Sequence, residues 1–313
     1  MTAEMVSRPT THDPRPTVVV FGGCNLDVIA RSNRFLRPGV SNPGAVSVTA
    51  GGAGRNVAAN LARLGVTTDL ISGVGADPAG DYLIAETARA GVRVAGIART
   101  ADRSNYYVAI AGVGPDVLAV SDMAATEALT PAQVHEAAGL TRHARMVVID
   151  ANLDERSIAA AIDAAGSTAI CLLPTSPAKA GRVAGVLNRA VLIAAGLAEL
   201  EVLAGRPITS AGEAQDAAEA LRRRTGADVL VSMGTSGIGI AADETHWLDA
   251  LPVAVVDPTG AGDAAAATAI FGRISGLSTR ELLALARAAG TMTVTVRGAT
   301  HPGLTLEALR AYG

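Results

Sequence analysis

The sequence predicts a three-layer α/β protein: a doubly wound, mostly parallel sheet between two layers of helices, with a small β-sheet laid over one end as a lid. Three observations lead there. Short β-branched runs without polar alternation recur along the chain, alanine- and leucine-rich amphipathic stretches separate most of them, and two segments break that rhythm with period-two patterning.

Residues 1–16 carry proline, threonine and charges with no apolar centre, and read as a flexible tail that is neither signal peptide nor anchor. Thr17 to Gly23 (TVVVFGG) then reads as a central strand, because a strand covered on both faces is apolar at every position. Similar runs predict strands at Asp69 to Ser72, Arg145 to Asp150, Ala169 to Leu173, Ala190 to Ala194 and Asp228 to Ser232. Helices are predicted at Arg55 to Leu64, Asp81 to Ala90, Ala132 to Leu140, Ser157 to Ala164, Glu213 to Arg224 and Ala264 to Gly272, each stopped by glycine or a polar break. Segments 29–49 and 94–120 interrupt the alternation. In the second, Tyr106 to Ala111 and Val117 to Val120 flank the turn GVGPD, as a β-hairpin would. These two insertions form the predicted lid of a single α/β domain spanning 17–313.

Composition narrows the function. At 313 residues and 49% hydrophobic, the chain can bury a sizeable core, which excludes disorder, collagen and coiled coil. A formal charge of −3, from 26 basic and 29 acidic residues, gives no positive field for a nucleic-acid polymer. Cys24 and Cys171 lie far apart and the five histidines are scattered, so a zinc site is not expected and a reducing cytoplasm fits. No apolar run approaches the ~18 residues that a membrane span needs.

Near the C-terminus stands Asp257-Pro258-Thr259-Gly260-Ala261-Gly262-Asp263, just before an alanine-rich helix. Gly260 and Gly262 let the backbone turn tightly enough for the amides of Gly260, Ala261 and Gly262 to converge as an anion hole, which the helix dipole favours. Asp263 in the first turn can accept the proton of an attacking hydroxyl, or can simply cap the helix. A second cluster, Gly51-Gly52-Ala53-Gly54-Arg55-Asn56, allows close backbone approach to a ligand, and the Asn56 amide offers a donor and an acceptor to a hydroxyl pair. Asp27 follows the first strand, where parallel sheets collect ligands; it reads either as a binder of ribose-like hydroxyls or as a loop aspartate. The P-loop motif, the dinucleotide fingerprint and the G-x-S-x-G elbow are all absent.

The pair GGAGRN and DPTGAGD, in this order around such a core, resembles the ribokinase-like, or PfkB, carbohydrate kinases over nearly the whole chain after the tail. Within that family, Ser41 to Gly44, GRNVAANLARLG, Ser121-Asp122-Met123, Asp150 to Leu153 and Pro174-Thr175-Ser176 leading to Lys179 look like the pseudouridine kinases. The resemblance implies attack of a nucleoside 5′-hydroxyl on the γ-phosphate of ATP. Asp263 would then be the general base, with Gly260, Ala261 and Gly262 as the anion hole. It further implies that Asp27, Gly52, Asn56, Asp122 and Lys179 bind the nucleoside, pseudouridine in the first instance. Ser232 and Gly234 would approach the nucleotide, Glu199 the Mg²⁺, and K⁺ the glycine loop. A homodimer formed through the lid is implied as well.

Lys179 carries a separate argument, as the single lysine among 26 basic residues. A chain that uses arginine everywhere else keeps one compact ammonium, which a planar guanidinium cannot replace in a packed site. Three positions depart from the family pattern: Gly196 stands where an asparagine precedes Glu199, Leu173 where an acid precedes Pro-Thr-Ser, and Ala265 where phenylalanine often follows GAGDA. Another nucleoside or sugar kinase, or a catalytically weak nucleoside-binding relative, therefore stays open beside the first choice.

Overall fold

The computed structural model describes residues 17–113 and 117–312. The tail and positions 114–116 of the hairpin turn lie outside the described residues. In chain order the strands are β1 (Thr17–Phe21), β2 (Asn25–Arg31), β3 (Ala45–Gly51), β4 (Thr67–Gly75), β5 (Ile97–Ala101), β6 (Asn105–Ala111), β7 (Val117–Asp122), β8 (Met146–Asp150), β9 (Ile170–Leu173), β10 (Leu192–Gly196), β11 (Asp228–Ser232), β12 (Ile238–Ala241) and β13 (His246–Leu248).

The large sheet has the order β13-β12-β11-β10-β9-β8-β1-β4-β5; only β12 runs against the others. Its inner strands are apolar at their centres because both faces are covered. Val19, Phe21, Val147, Ile149 and Leu172 pack toward the helices Glu155–Ala165 and Ala211–Thr225. Val18, Val20, Met146, Val148 and Leu173 pack toward Ala53–Arg63, Ala261–Ile274 and Thr279–Thr293. Each fully buried aliphatic side chain contributes about 1.5–3 kcal/mol relative to exposure. Close helix packing on the second face uses small residues: a Cβ at Gly272 would sit 3.0 Å from Leu282.

The small sheet has the order β3-β2-β6-β7. Paired residues share a face, so its register fixes what each face presents. One face carries the rows Val48–Val28–Val108–Val120 and Val46–Ala30–Ile110–Leu118, largely exposed to solvent. The other carries Asp27, Thr49, Tyr107 and Ser121 in one row.

Two expectations need correction. Of segment 94–120, Ile97–Ala101 pairs with β4 at the edge of the large sheet and is no part of the small one. The helix expected at Ala132 to Leu140 is two short ones, Pro131–Glu136 and Ala138–Thr141.

Candidate active site

Most of the longer helices start on a capping side chain: Asp77 accepts the Gly80 amide, Asp154 that of Ser157, and Ser210 that of Glu213. Three do not. Ala53–Arg63, Leu197–Ala204 and Ala261–Ile274 begin on Gly52, Gly196 and Gly260, which have no side chain to cap with. All three starts lie beyond the carboxyl ends of β1, β8, β9, β10 and β11, where an open parallel sheet gathers ligands. In the first of them Asp150 takes the Gly54 amide and the Gly23 carbonyl takes the Arg55 amide; at the other two the first N–H groups have no side-chain cap and can meet an anion.

Glycine is required at two of them. Gly52 has φ +100°, and a Cβ there would meet the Gly23 carbonyl oxygen at 2.4 Å. Gly260 has φ +79°, with the Ala299 carbonyl oxygen 2.0 Å from where its Cβ would be. The first intrahelical bond after it runs from the Ala264 amide to the Gly260 carbonyl, 2.9 Å, so the amides of Ala261, Gly262 and Asp263 precede the ladder. Asp257 is structural: it accepts from Thr259 Oγ1 at 2.7 Å and the Gly298 amide at 3.3 Å and pairs with Arg31 at 3.1 Å, which pins this loop.

The two glycine clusters, some two hundred residues apart in sequence, meet in one hydrogen bond: Asn56 Nδ2 donates to Asp263 Oδ2 at 2.8 Å. Burial pushes the Asp263 carboxyl up to about 7; the Asn56 bond opposes this, while the neighbouring charges of Asp150, Asp27 and Glu199 add to it. A carboxyl raised toward neutral pH is matched to the work of a base. Asp27 is buried on β2 and accepts from Asn25 Nδ2 at 2.6 Å. Burial raises its carboxyl to about 6, against the Asn25 bond and the Arg55 charge.

Beside Asp263 opens a cavity of about 230 Å³ lined by Leu173, Thr175, Glu199, Ser232 and Gly262. Ser232 ends β11 and its Oγ lies 3.5 Å from where a Gly262 Cβ would be. Because residue 196 is glycine, the Glu199 carboxylate folds back over its own helix start: Oε2 is 2.5 Å from the position of a Gly196 Cβ. Leu173 puts an apolar side chain into the wall. Among the described residues no group of three or more His, Cys, Asp or Glu side chains is arranged to hold a metal ion. A Mg²⁺ ion needs no such cluster, because it keeps several waters and binds through one or two carboxylates and the phosphates of a nucleotide.

Other expected site residues lie elsewhere. Asp122 is exposed, accepts the Ala124 amide at 3.1 Å, and shares its face with Tyr106, Leu26 and Ala50, opposite to Asp27. Gly234 starts an exposed turn outside the cavity lining. Lys179 Nζ donates to Asn152 Oδ1 at 2.7 Å. Burial lowers its pKa, with the Asp150 charge opposing.

The residue that sequence reasoning missed is Asp150. Its carboxylate, fully buried at the end of β8, accepts the amides of Gly23 (2.8 Å), Gly54 (2.9 Å) and Asn152 (2.8 Å), and the hydroxyl of Thr175. It thereby fastens the turn after β1, the start of helix Ala53–Arg63 and the loop after β9 to one point. Thr175 holds a left-handed φ of +69°, a conformation costing on the order of 1 kcal/mol or more that this bond helps to retain. An acid ending a core strand in a parallel sheet was the available signal.

The Asp263 carboxyl beside the uncapped start of its helix, with a cavity at the carboxyl edge of the sheet, can take a proton from an alcohol while an anionic group is held at the helix amides. The chain belongs to the pfkB family carbohydrate kinases, which it matches over residues 15–306. It is 28% identical over 293 residues to the pseudouridine kinase of Escherichia coli (strain K12), covering 92% of this chain and 94% of that protein. It is 32% identical over 285 residues to the uncharacterized sugar kinase YeiI of the same organism, covering 88% and 79%. Among solved structures, Arabidopsis thaliana ribokinase complexed with ribose and ATP superposes with a TM-score of 0.79 at 22% identity, covering 95% of this chain and 99% of that one, a likeness of fold. Among the described residues, no helix is long and apolar enough to cross a membrane.

Proposed function

We propose that the protein transfers the γ-phosphoryl group of ATP to the 5′-hydroxyl of pseudouridine. The observation that carries this reading is the Asn56–Asp263 hydrogen bond at the start of helix Ala261–Ile274, which joins the acceptor side to the phosphate side. Asp263 takes the proton of the attacking hydroxyl, and the amides of Gly260, Ala261 and Gly262 meet the charge on the transferred group. Asp27, Gly52 and Asn56 hold the ribose hydroxyls. Glu199 and Ser232 face the nucleotide, and Glu199 is the carboxylate placed to reach Mg²⁺, which when bound neutralises phosphate charge. Lys179 acts through Asn152 and Asp150, as a positioning charge at the nucleoside end.

Pseudouridine is favoured over other acceptors by likeness to a pseudouridine kinase along nearly both whole chains; the likeness to YeiI is the observation that favours another sugar or nucleoside. ATP consumption measured with pseudouridine, uridine and ribose separates them. The expected result is that pseudouridine gives the highest kcat/KM, and a preference for uridine or ribose rejects it.

The small sheet is the lid, with the Asp27 row turned to the acceptor. Its outer face suits a second copy of this chain: Val46, Leu118 and Val120 are 68%, 71% and 67% exposed, and an apolar face of that kind is normally covered. Light scattering is expected to give a dimer mass for the native chain and a monomer for Leu118→Glu. A monomeric native chain contradicts this.

A further inference from the structure

A second cavity, of about 230 Å³, lies on the other side of the Gly51–Asn56 turn, between the end of β3, the helices Ala53–Arg63 and Pro78–Arg89, and residues 297–300. It is unlike the first. Arg55, Arg63, Arg89 and Arg297 line it with Tyr82, and Glu86 is the one carboxylate among its lining residues. Glu86 pairs with Arg89, which leaves three guanidinium groups without a carboxylate there.

Arg55 is the unusual member. It is only 5% exposed, and among the described residues no carboxylate pairs with it. Its Nη1 donates to the Ala50 carbonyl at 3.2 Å and Asn56 Oδ1 at 3.5 Å, and its Nε is buried with no partner. The Glu86 and Asp27 charges reach Arg55 only beyond ion-pair distance. Burying a charge with no counter-ion in contact is costly, and the usual compensation is an anion. Arg63 is half-buried, and its pKa is pushed down by burial and then by the charge of Arg55, so the two cations feel one another. A guanidinium fork matches phosphate oxygens bidentately. Neither the site beside Asp263 nor any step assigned to it uses this pocket.

We propose that this pocket is a binding site for a phosphate group, as the free ion or the head of a small phosphomonoester, held by Arg55 at its floor and by Arg63 and Arg297 at its rim. The site is distinct from the anion hole at Gly260–Gly262. Through Arg55 it touches Asn56, the residue that holds Asp263.

The test is calorimetric titration of inorganic phosphate, and separately of methyl phosphate, into the full chain at constant ionic strength. The protein is first saturated with Mg²⁺ and a non-hydrolysable ATP analogue, so that the anion hole is filled. The expected result is one saturable site per chain, weakened about tenfold or more in the double variant Arg63→Gln/Arg297→Gln, with binding of the ATP analogue unchanged. Both substitutions lie at the rim, and the thermal midpoint of the variant without phosphate checks that it is folded. Tighter binding of inorganic phosphate identifies the free ion as ligand, and tighter binding of methyl phosphate an ester; either supports the site. Absence of saturable binding, binding that disappears once the ATP analogue is present, or equal affinity in a folded double variant overturns it.

Discussion

Asp263→Asn is expected to lower kcat by about 10²–10⁴, the usual contribution of a positioned general base, while KM for ATP changes little. The substitution keeps shape: an amide oxygen at 263 can still accept from Asn56 Nδ2, which now bonds the carboxylate at 2.8 Å. It removes only the capacity to take a proton. Stability should not suffer. A carboxyl raised from 3.8 to about 7 binds protons more tightly in the folded state, so ionising it destabilises the fold as pH rises through that interval. At pH 8 the neutral amide removes that cost and its repulsion from Asp27, Asp150 and Glu199, so the variant should be at least as stable as the native chain. Steady-state kinetics with a thermal melt decides, and a folded variant with native kcat removes Asp263 from the chemistry.

Asp150→Asn is expected to have the largest effect on stability, about 3 kcal/mol by chemical denaturation. The native carboxylate accepts on both oxygens: the Gly23 and Gly54 amides reach Oδ2, while Thr175 Oγ1 and the Asn152 amide reach Oδ1. An asparagine must turn an NH₂ group toward one of these sets; Thr175 Oγ1 can give its proton to the Leu173 carbonyl and accept instead, but the backbone amides of Gly23 and Gly54, or that of Asn152, can only donate. Each buried donor left unsatisfied costs about 1–3 kcal/mol. Because the Gly54 amide sits two residues before Asn56, the helix start should shift as well, and KM for the acceptor should rise. Stability within about 0.5 kcal/mol of native would mean that the carboxylate is not the fastener it looks to be.

The parallel strands were legible because burial on both faces leaves few polar positions: β8 is buried from Met146 to Asp150 and is apolar up to its last residue, MVVID. Helix Thr279–Thr293 was not singled out, although its capping box is written in the sequence as Ser278 and Glu281. The break at Ala137 inside 131–141 carries no glycine or proline, and nothing local marks it. β12 (IGIA) and β13 (HWL) were not singled out, because three or four residues are too few to show a period.

Each half of the site was legible as a motif, but their junction was not. Helix capping accounts for Asp263 and a tight turn for Gly52 just as well, and only the fold brings Asn56 to Asp263. Asp150 was passed over because a carboxylate at a strand end looks the same whether it faces water or five buried donor groups. Asp122 was misjudged because the parity of β7 is not fixed by its own residues. Pairing with β6 puts Ser121, not Asp122, in the row of Asp27.

The dependence of kcat/KM on pH, with ATP saturating and the acceptor varied, tests most directly whether Asp263 is the base. The rate should rise with pH through an inflection near 7, where Asp263 loses its proton, falling about tenfold per unit below it. The residual rate of Asp263→Asn should show no such limb. A native profile flat from pH 5 to 8, or the same inflection in Asp263→Asn, would contradict the account.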